Sequence, residues 1–319
     1  MATYNLINSV KGGCGKTTFS LWLAYYLDKS LLIDMDLLGT SMQILFYGNT
    51  DVCKTAYTND VFQGVRNSRK RFVEKVKLST GRCMNVIFAS MDYKEKDQFK
   101  AGKYSGYTPV VKHSIFRLGL RELLKHNRTI EGEDVEHFIF DMPPNSDGFS
   151  DAAMECIFNS RYSDLKREDR KNLFIMIGTD WGQTIATIQQ LKTLLMQGDE
   201  NEPDGIFLVI NHNLGVEFGE NDYVNRKDKI EKALSEWSLT EKLTKKIYFL
   251  KMGHSEYYTK LGIEGKGLET ADADKIHNAF LPGVISAYAE YKKAFKDIAT
   301  DTNGEDRLRE LILGKRADN

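Results

Sequence analysis

The chain has 319 residues, 41% hydrophobic and 28% charged, with 44 Lys and Arg against 45 Asp and Glu. That is the make-up of a large globular α/β domain, long enough to bury a core without metal or disulfide staples. The net charge of −1 excludes a uniformly basic nucleic-acid coat, and no apolar run reaches the length of a membrane span. The first residues lack a basic start followed by an apolar stretch, so no secretory leader is expected. Cys14, Cys53, Cys83 and Cys156 form no C-x-x-C pair, which argues against zinc and for reduced thiols in a cytoplasmic protein.

Tyr4 to Val10 reads as a short buried strand running into a glycine cluster. A helix is expected from Lys16 to Leu27, with Phe19, Leu23 and Tyr26/Leu27 at helical spacing. Leu31 to Asp34 is a second strand, and its continuous hydrophobicity suits a parallel strand covered on both faces. Further apolar runs recur at 85–89, 137–141, 173–177, 206–210 and 247–250, with helical patterns at 115–125 and 184–196. Strand and helix alternating through the length predict an α/β fold, a doubly wound, mostly parallel sheet flanked by helices. The expectation is one domain over 1–319, with insertions at about 48–82 and 92–112 on a sheet edge or around the site. A helical tail is expected over about 282–319.

The chemistry starts in the segment Lys11-Gly12-Gly13-Cys14-Gly15-Lys16-Thr17-Thr18, between the first strand and the first helix. Glycines let the backbone turn its N–H groups inward onto phosphate oxygens. The helix then starts beneath those phosphates with its free N–H groups and positive dipole end facing them. Lys16 brings a charge to the β- and γ-phosphates, Thr17 offers a hydroxyl to Mg²⁺, and Thr18 reaches the α-phosphate. The ordinary phosphate loop, G-x-x-x-x-G-K-[ST], fails by one residue, since Val10 stands where its first glycine belongs. An extra lysine, Lys11, follows it.

The pattern K-G-G-x-G-K-T-T resembles the deviant Walker A motif of the ParA/MinD ATPases, a family that includes the nitrogenase iron protein. Asp34-Met35-Asp36-Leu37-Leu38-Gly39-Thr40-Ser41 is similar to the family's switch I, which begins D-x-D-P-Q-G, with Leu37 and Leu38 in place of proline and glutamine. Phe138 to Pro144 is similar to its Walker B and switch II. Val209-Ile210-Asn211 resembles its adenine-reading V-x-N, and Gly265-Lys266-Gly267-Leu268 a late G-K-x-[LV] turn. The usual proline of the loop before that turn is replaced by Lys251-Met252-Gly253.

The resemblance implies an ATP and Mg²⁺ site with Gly12, Gly13, Cys14, Gly15, Lys16, Thr17, Thr18 and Asn211 around the nucleotide. Asp141 would hold the ion through a water, with Thr17 and also Asp36 as further metal ligands. Asp36 would orient the attacking water, and Asp34 would support the metal or the loop. The catalytic set is Lys11, Lys16 and Asp36. Lys11 would cross an ATP-dependent homodimer interface onto the partner's nucleotide, as an arginine finger does. A nitrogenase-type cluster lacks a second cysteine to join Cys156.

The stretch from Arg226 to Lys251 is rich in lysine, with Arg226, Lys227, Lys245 and Lys246 as candidate nonspecific DNA contacts. A second basic cluster runs from Arg66 to Lys77. The tail from Asp306 to Arg316 has an apolar stripe but balanced charge and no aromatic, so packing on the body is preferred over a membrane. The reading is therefore a slow, partner-stimulated partition ATPase, cytoplasmic and nucleoid-associated, with a centromere-binding or other cargo adaptor. Alternatives are a MinD-like membrane or polar regulator, a related ATP-dependent small-molecule synthetase, and a nucleotide-binding scaffold without turnover.

Overall fold

The computed structural model describes residues 1–37, 41–47, 58, 73–78, 81–89, 109–144, 149–159, 165–166, 168–178, 180–196, 203–211, 220–236, 247–252 and 312–313. In chain order these form β1 (Thr3–Asn8), α1 (Lys16–Tyr26), β2 (Ser30–Asp34), α2 (Ser41–Tyr47), β3 (Glu74–Lys77) and β4 (Cys83–Ile87). They continue through α3 (Pro109–His126), β5 (Thr129–Ile130), β6 (Glu133–Asp134), β7 (His137–Asp141) and α4 (Phe149–Phe158). The last elements are β8 (Arg170–Ile177), α5 (Trp181–Met196), β9 (Gly205–Asn211), α6 (Glu220–Glu236) and β10 (Ile247–Met252).

Eight strands make one sheet in the order β10-β9-β8-β1-β7-β2-β4-β3. Every neighbouring pair runs parallel except β3 with β4, which is antiparallel at the edge. The doubly wound expectation therefore holds. Continuous apolar runs become strands buried along their whole length, as in β2, β7 and β9. Alternate residues split the core in two. Leu6, Ile33, Phe140, Ile175 and Leu208 face α3, α4, α5 and α6 through Leu123, Ile157, Leu191 and Ile230. Ile7, Leu32, Ile139, Phe174 and Val209 face α1 and α2 through Phe19, Trp22, Met42 and Phe46.

Strand β3 falls within residues 48–82 and forms one edge of the sheet. Part of the second expected insertion, 109–112, is instead the first turn of α3. A small hairpin, β5 with β6, turns through Glu131 and Gly132, both at positive φ. The tail lies outside the described residues except at Ile312 and Leu313. Ile312 is buried against the α1 side of the core, and its carbonyl accepts a hydrogen bond from Asn172 Nδ2 at 3.1 Å.

The sheet order sets the site. β1 lies between β7 and β8, and the chain leaves it for β2 on one side and reaches β8 on the other much later. The carboxyl end of β1 is a topological switch point, where open α/β sheets bind ligands.

Candidate nucleotide site

β1 ends at Asn8, and the chain turns through Ser9 to Gly15 before α1 starts at Lys16. Gly15 caps the helix in the left-handed conformation (φ 88°, ψ 19°), and no side chain caps the first turn. Gly13 is also left-handed, at φ 75°. Both turns require glycine because a Cβ is strained there. No acidic residue lies in the first turn of α1, so nothing from the helix itself neutralises its positive end. A Cβ at Gly12 would meet nothing within 4 Å, so its absence is not a packing need of the described protein. It leaves that stretch of backbone open to close approach by an anion.

The two lysines of the loop face opposite environments. Lys16 is buried, 8% exposed, and its ammonium donates to Ser9 Oγ at 2.9 Å. Ser9 Oγ in turn donates to Lys11 O at 2.7 Å. The Lys11 side chain is 67% exposed and stands 3.9 Å from Asp180 Oδ2, itself largely exposed. Such a solvated pair contributes little and is easily exchanged for another partner.

The loop is pinned from behind. The Cys14 thiol lies 3.0 Å from Lys11 O and 3.0 Å from Gln183 Oε1. Gln183 Oε1 also accepts from the Gly178 N–H at 3.0 Å, tying the β8–α5 junction to the loop. Burial pushes the Cys14 thiol up, against the nearby Lys16 charge and its hydrogen bonds, which keeps it a neutral donor. Asn211, the last residue of β9, donates from Nδ2 to Cys14 O at 2.9 Å. The expected adenine reader is thus fastened to the phosphate loop.

Three carboxylates gather beside the loop. Asp141 ends β7 and pairs in register with both Ile7 and Asp34. Ser20 Oγ on α1 donates to it at 3.1 Å. Burial pushes the Asp141 carboxyl up to about 6, opposed by hydrogen bonding from Thr17, the Lys16 charge and Ser20, while the Asp36 charge adds to the rise. Asp34, at the end of β2, is 4% exposed. Its carboxyl sits well above the usual range, first from burial and then from the charges of Asp141 and Asp36. Asp34 Oδ1 accepts from the Asp36 N–H at 3.1 Å, and Oδ2 from the Ala89 N–H at 3.3 Å. Asp34 therefore supports the loop rather than facing out. Asp36, Thr17 and Thr18 are half-buried around the same mouth.

The proposed DNA face needs correction at Arg226. It is 4% exposed on the inner side of α6. Its Nη1 donates to Thr184 Oγ1 at 2.8 Å and Gly178 O at 3.3 Å, and its guanidinium lies 4.7 Å from the Trp181 ring centroid. A cation so enclosed does not face a duplex. The Lys227 side chain is 15% exposed, 3.6 Å from Glu231 and over Phe249. Lys245 and Lys246 lie outside the described residues. Ser20, Asp180 and Gln183 carry parts of this site that no motif announced, because the contacts that bring them in span up to 169 residues.

A parallel sheet with strand, glycine loop and helix at its switch point defines a P-loop nucleotide-binding fold. No family model and no curated protein matches the chain. Solved structures do. pNOB8 ParA bound to nonspecific DNA is 15% identical, covers 99% of this chain and 100% of its own, and has a TM-score of 0.59. An ATP complex of a McdA variant from Cyanothece is 16% identical over 94% of this chain and 99% of its own, at 0.55. The cell division ATPase MinD of Pyrococcus furiosus is 14% identical over 88% and 95%, at 0.52. The fold is that of the ParA/MinD ATPases, as the loop motif implied. Among the described residues no helix is long and apolar enough to cross a membrane.

Proposed function

We propose that the chain is a Mg²⁺-dependent ATPase of the ParA/MinD class that dimerises around ATP and positions a cargo such as plasmid or chromosomal DNA. The observation that carries this reading is the division of labour between two lysines of one loop. Lys16 is buried where it would meet the β- and γ-phosphates of its own nucleotide, and Lys11 is held only loosely at the surface. A surface lysine beside a phosphate site suits contact with a nucleotide bound by a second copy.

The loop N–H groups and the start of α1 bind the phosphates, and Lys16 neutralises them. The donor set suits Mg²⁺. It offers the Thr17 hydroxyl and the carboxylates of Asp141 and Asp36, all hard oxygen donors. An ion that keeps waters and phosphate oxygens needs few protein ligands, and when bound it would offset charge on the triphosphate. Asp36 orients a water toward the γ-phosphate, and Lys11 stabilises the charge that develops there. Slow, partner-stimulated turnover and nonspecific DNA as the working surface are part of the proposal. Support for DNA comes from the fold shared with a ParA structure bound to nonspecific DNA. The burial of Ile312 supports a tail packed on the body over a membrane helix.

Calorimetry tests the site. The parent chain should bind Mg-ATP, and Lys16→Ala should lose that binding while keeping its fold. Equal affinity in the two proteins would overturn the assignment.

A further inference from the structure

The two ends of the switch segment are tied to one residue. On the near side, Asp34 Oδ1 accepts the Asp36 N–H at 3.1 Å and Oδ2 accepts the Ala89 N–H at 3.3 Å. On the far side, Gln43 of α2 donates from Nε2 to Ala89 O at 3.0 Å. Ala89 follows the end of β4, which pairs with β2 through Ile33 and Ile87. The same short stretch anchors α2 by packing: Phe46 meets Phe88 edge-on at 5.5 Å, and Tyr47 lies 5.7 Å from it. Thr58 holds the Phe88 carbonyl through its N–H and its hydroxyl. Residues 38–40, between these anchors, lie outside the described residues.

We propose that Asp34 and Gln43 are positioning residues that fix Asp36 through the N–H and C=O of Ala89. Neither touches the phosphate site in the way Lys16 does; both act by holding the backbone that carries Asp36. Gln43 is 1% exposed, and its Oε1 is buried with no hydrogen-bond partner among the described residues. An apolar side chain of similar size would avoid that unpaired oxygen. What the amide provides in exchange is the bond to Ala89, and with it a fixed distance between α2 and the end of β4. Asp34 fixes the other side with both carboxylate oxygens. A water-orienting carboxylate displaced by about an ångström loses rate on the order of a hundredfold, so a clamp of this kind bears on turnover more than on nucleotide affinity.

The proposal rests on the ATPase reading for its kinetic consequence but not for the clamp itself, so the test has two readouts. Gln43→Met removes the donor at nearly constant volume. Asp34→Asn keeps shape and is the second variant, since its amide nitrogen cannot accept from one of the two N–H groups. In the ligand-free protein, amide hydrogen exchange at Asp36 and Ala89 should speed up at least tenfold in either variant. With Mg-ATP, kcat should fall about tenfold while ATP affinity, measured by calorimetry, stays within twofold. Unchanged exchange at both amides would overturn the clamp. Affinity falling in step with kcat would overturn the positioning role and leave a structural one. A parent chain without any ATP turnover would remove the ATPase reading, and the exchange data alone would then decide the clamp.

Discussion

Replacing Gly15 by alanine tests the geometry that shapes the phosphate loop. Gly15 has φ 88°, and a Cβ built there overlaps Asn211 Nδ2. Two costs follow. A non-glycine residue held left-handed costs about 1–2 kcal/mol. Driving the Asn211 amide off Cys14 O leaves a buried carbonyl unpaired, for roughly another 1–3 kcal/mol. Gly15→Ala should therefore lose about 2–5 kcal/mol of stability, which lowers Tm by roughly 3–8 °C for a chain of this size. Asn211→Ala removes the obstacle, so in that background the same change should cost only the backbone part, about 1–2 kcal/mol. Urea unfolding of the four proteins, followed by circular dichroism, measures the coupling. Equal costs of Gly15→Ala with and without Asn211 would refute the argued contact. A cost under about 0.5 kcal/mol in both would refute the left-handed turn.

Two further outcomes follow. Asp141 is raised to about 6 in the folded protein from 3.8. A raised carboxyl favours the fold below pH 4 and loses that contribution as pH rises from 4 to 6, an effect of about 3 kcal/mol in all. Asp141→Asn should therefore flatten stability over that window and raise nucleotide-free Tm at pH 7, while weakening Mg²⁺-dependent turnover; thermal melts from pH 4 to 7 check it. Reversing Lys245 and Lys246 to glutamate should weaken binding to arbitrary duplexes about equally, with a reduced salt slope in filter binding; full retention of binding would remove these lysines from the DNA face.

Much of this was legible in the sequence where chemistry and hydrophobicity are contiguous. His137–Asp141 has the ends its apolar run implies, and Lys16–Tyr26 is the helix its spacing implies. Strand β3 was not legible, because Glu74-Lys75-Val76-Lys77 carries one apolar residue and an edge strand is suited by charge. The hairpin strands β5 and β6 have two residues each, too short to show a period. Arg226 was misread as surface because α6 is dense in charge. The signal was present, though: Arg226, Ile230 and Leu234 recur every four residues and form the buried stripe of that helix. In the site, the loop could be read from one segment. Asp180, Gln183 and Gln43 could not, since folding alone brings them there.

In the proposed mechanism, ATP turnover depends on a second copy through Lys11. Its most direct test is the ATP hydrolysis rate per molecule against protein concentration, for the parent chain and for Lys11→Ala at matched ATP affinity. The parent rate should rise with concentration to a plateau, and the Lys11→Ala rate should stay at background throughout. A parent rate independent of concentration, or a Lys11→Ala protein that hydrolyses ATP as the parent does, would contradict the mechanism.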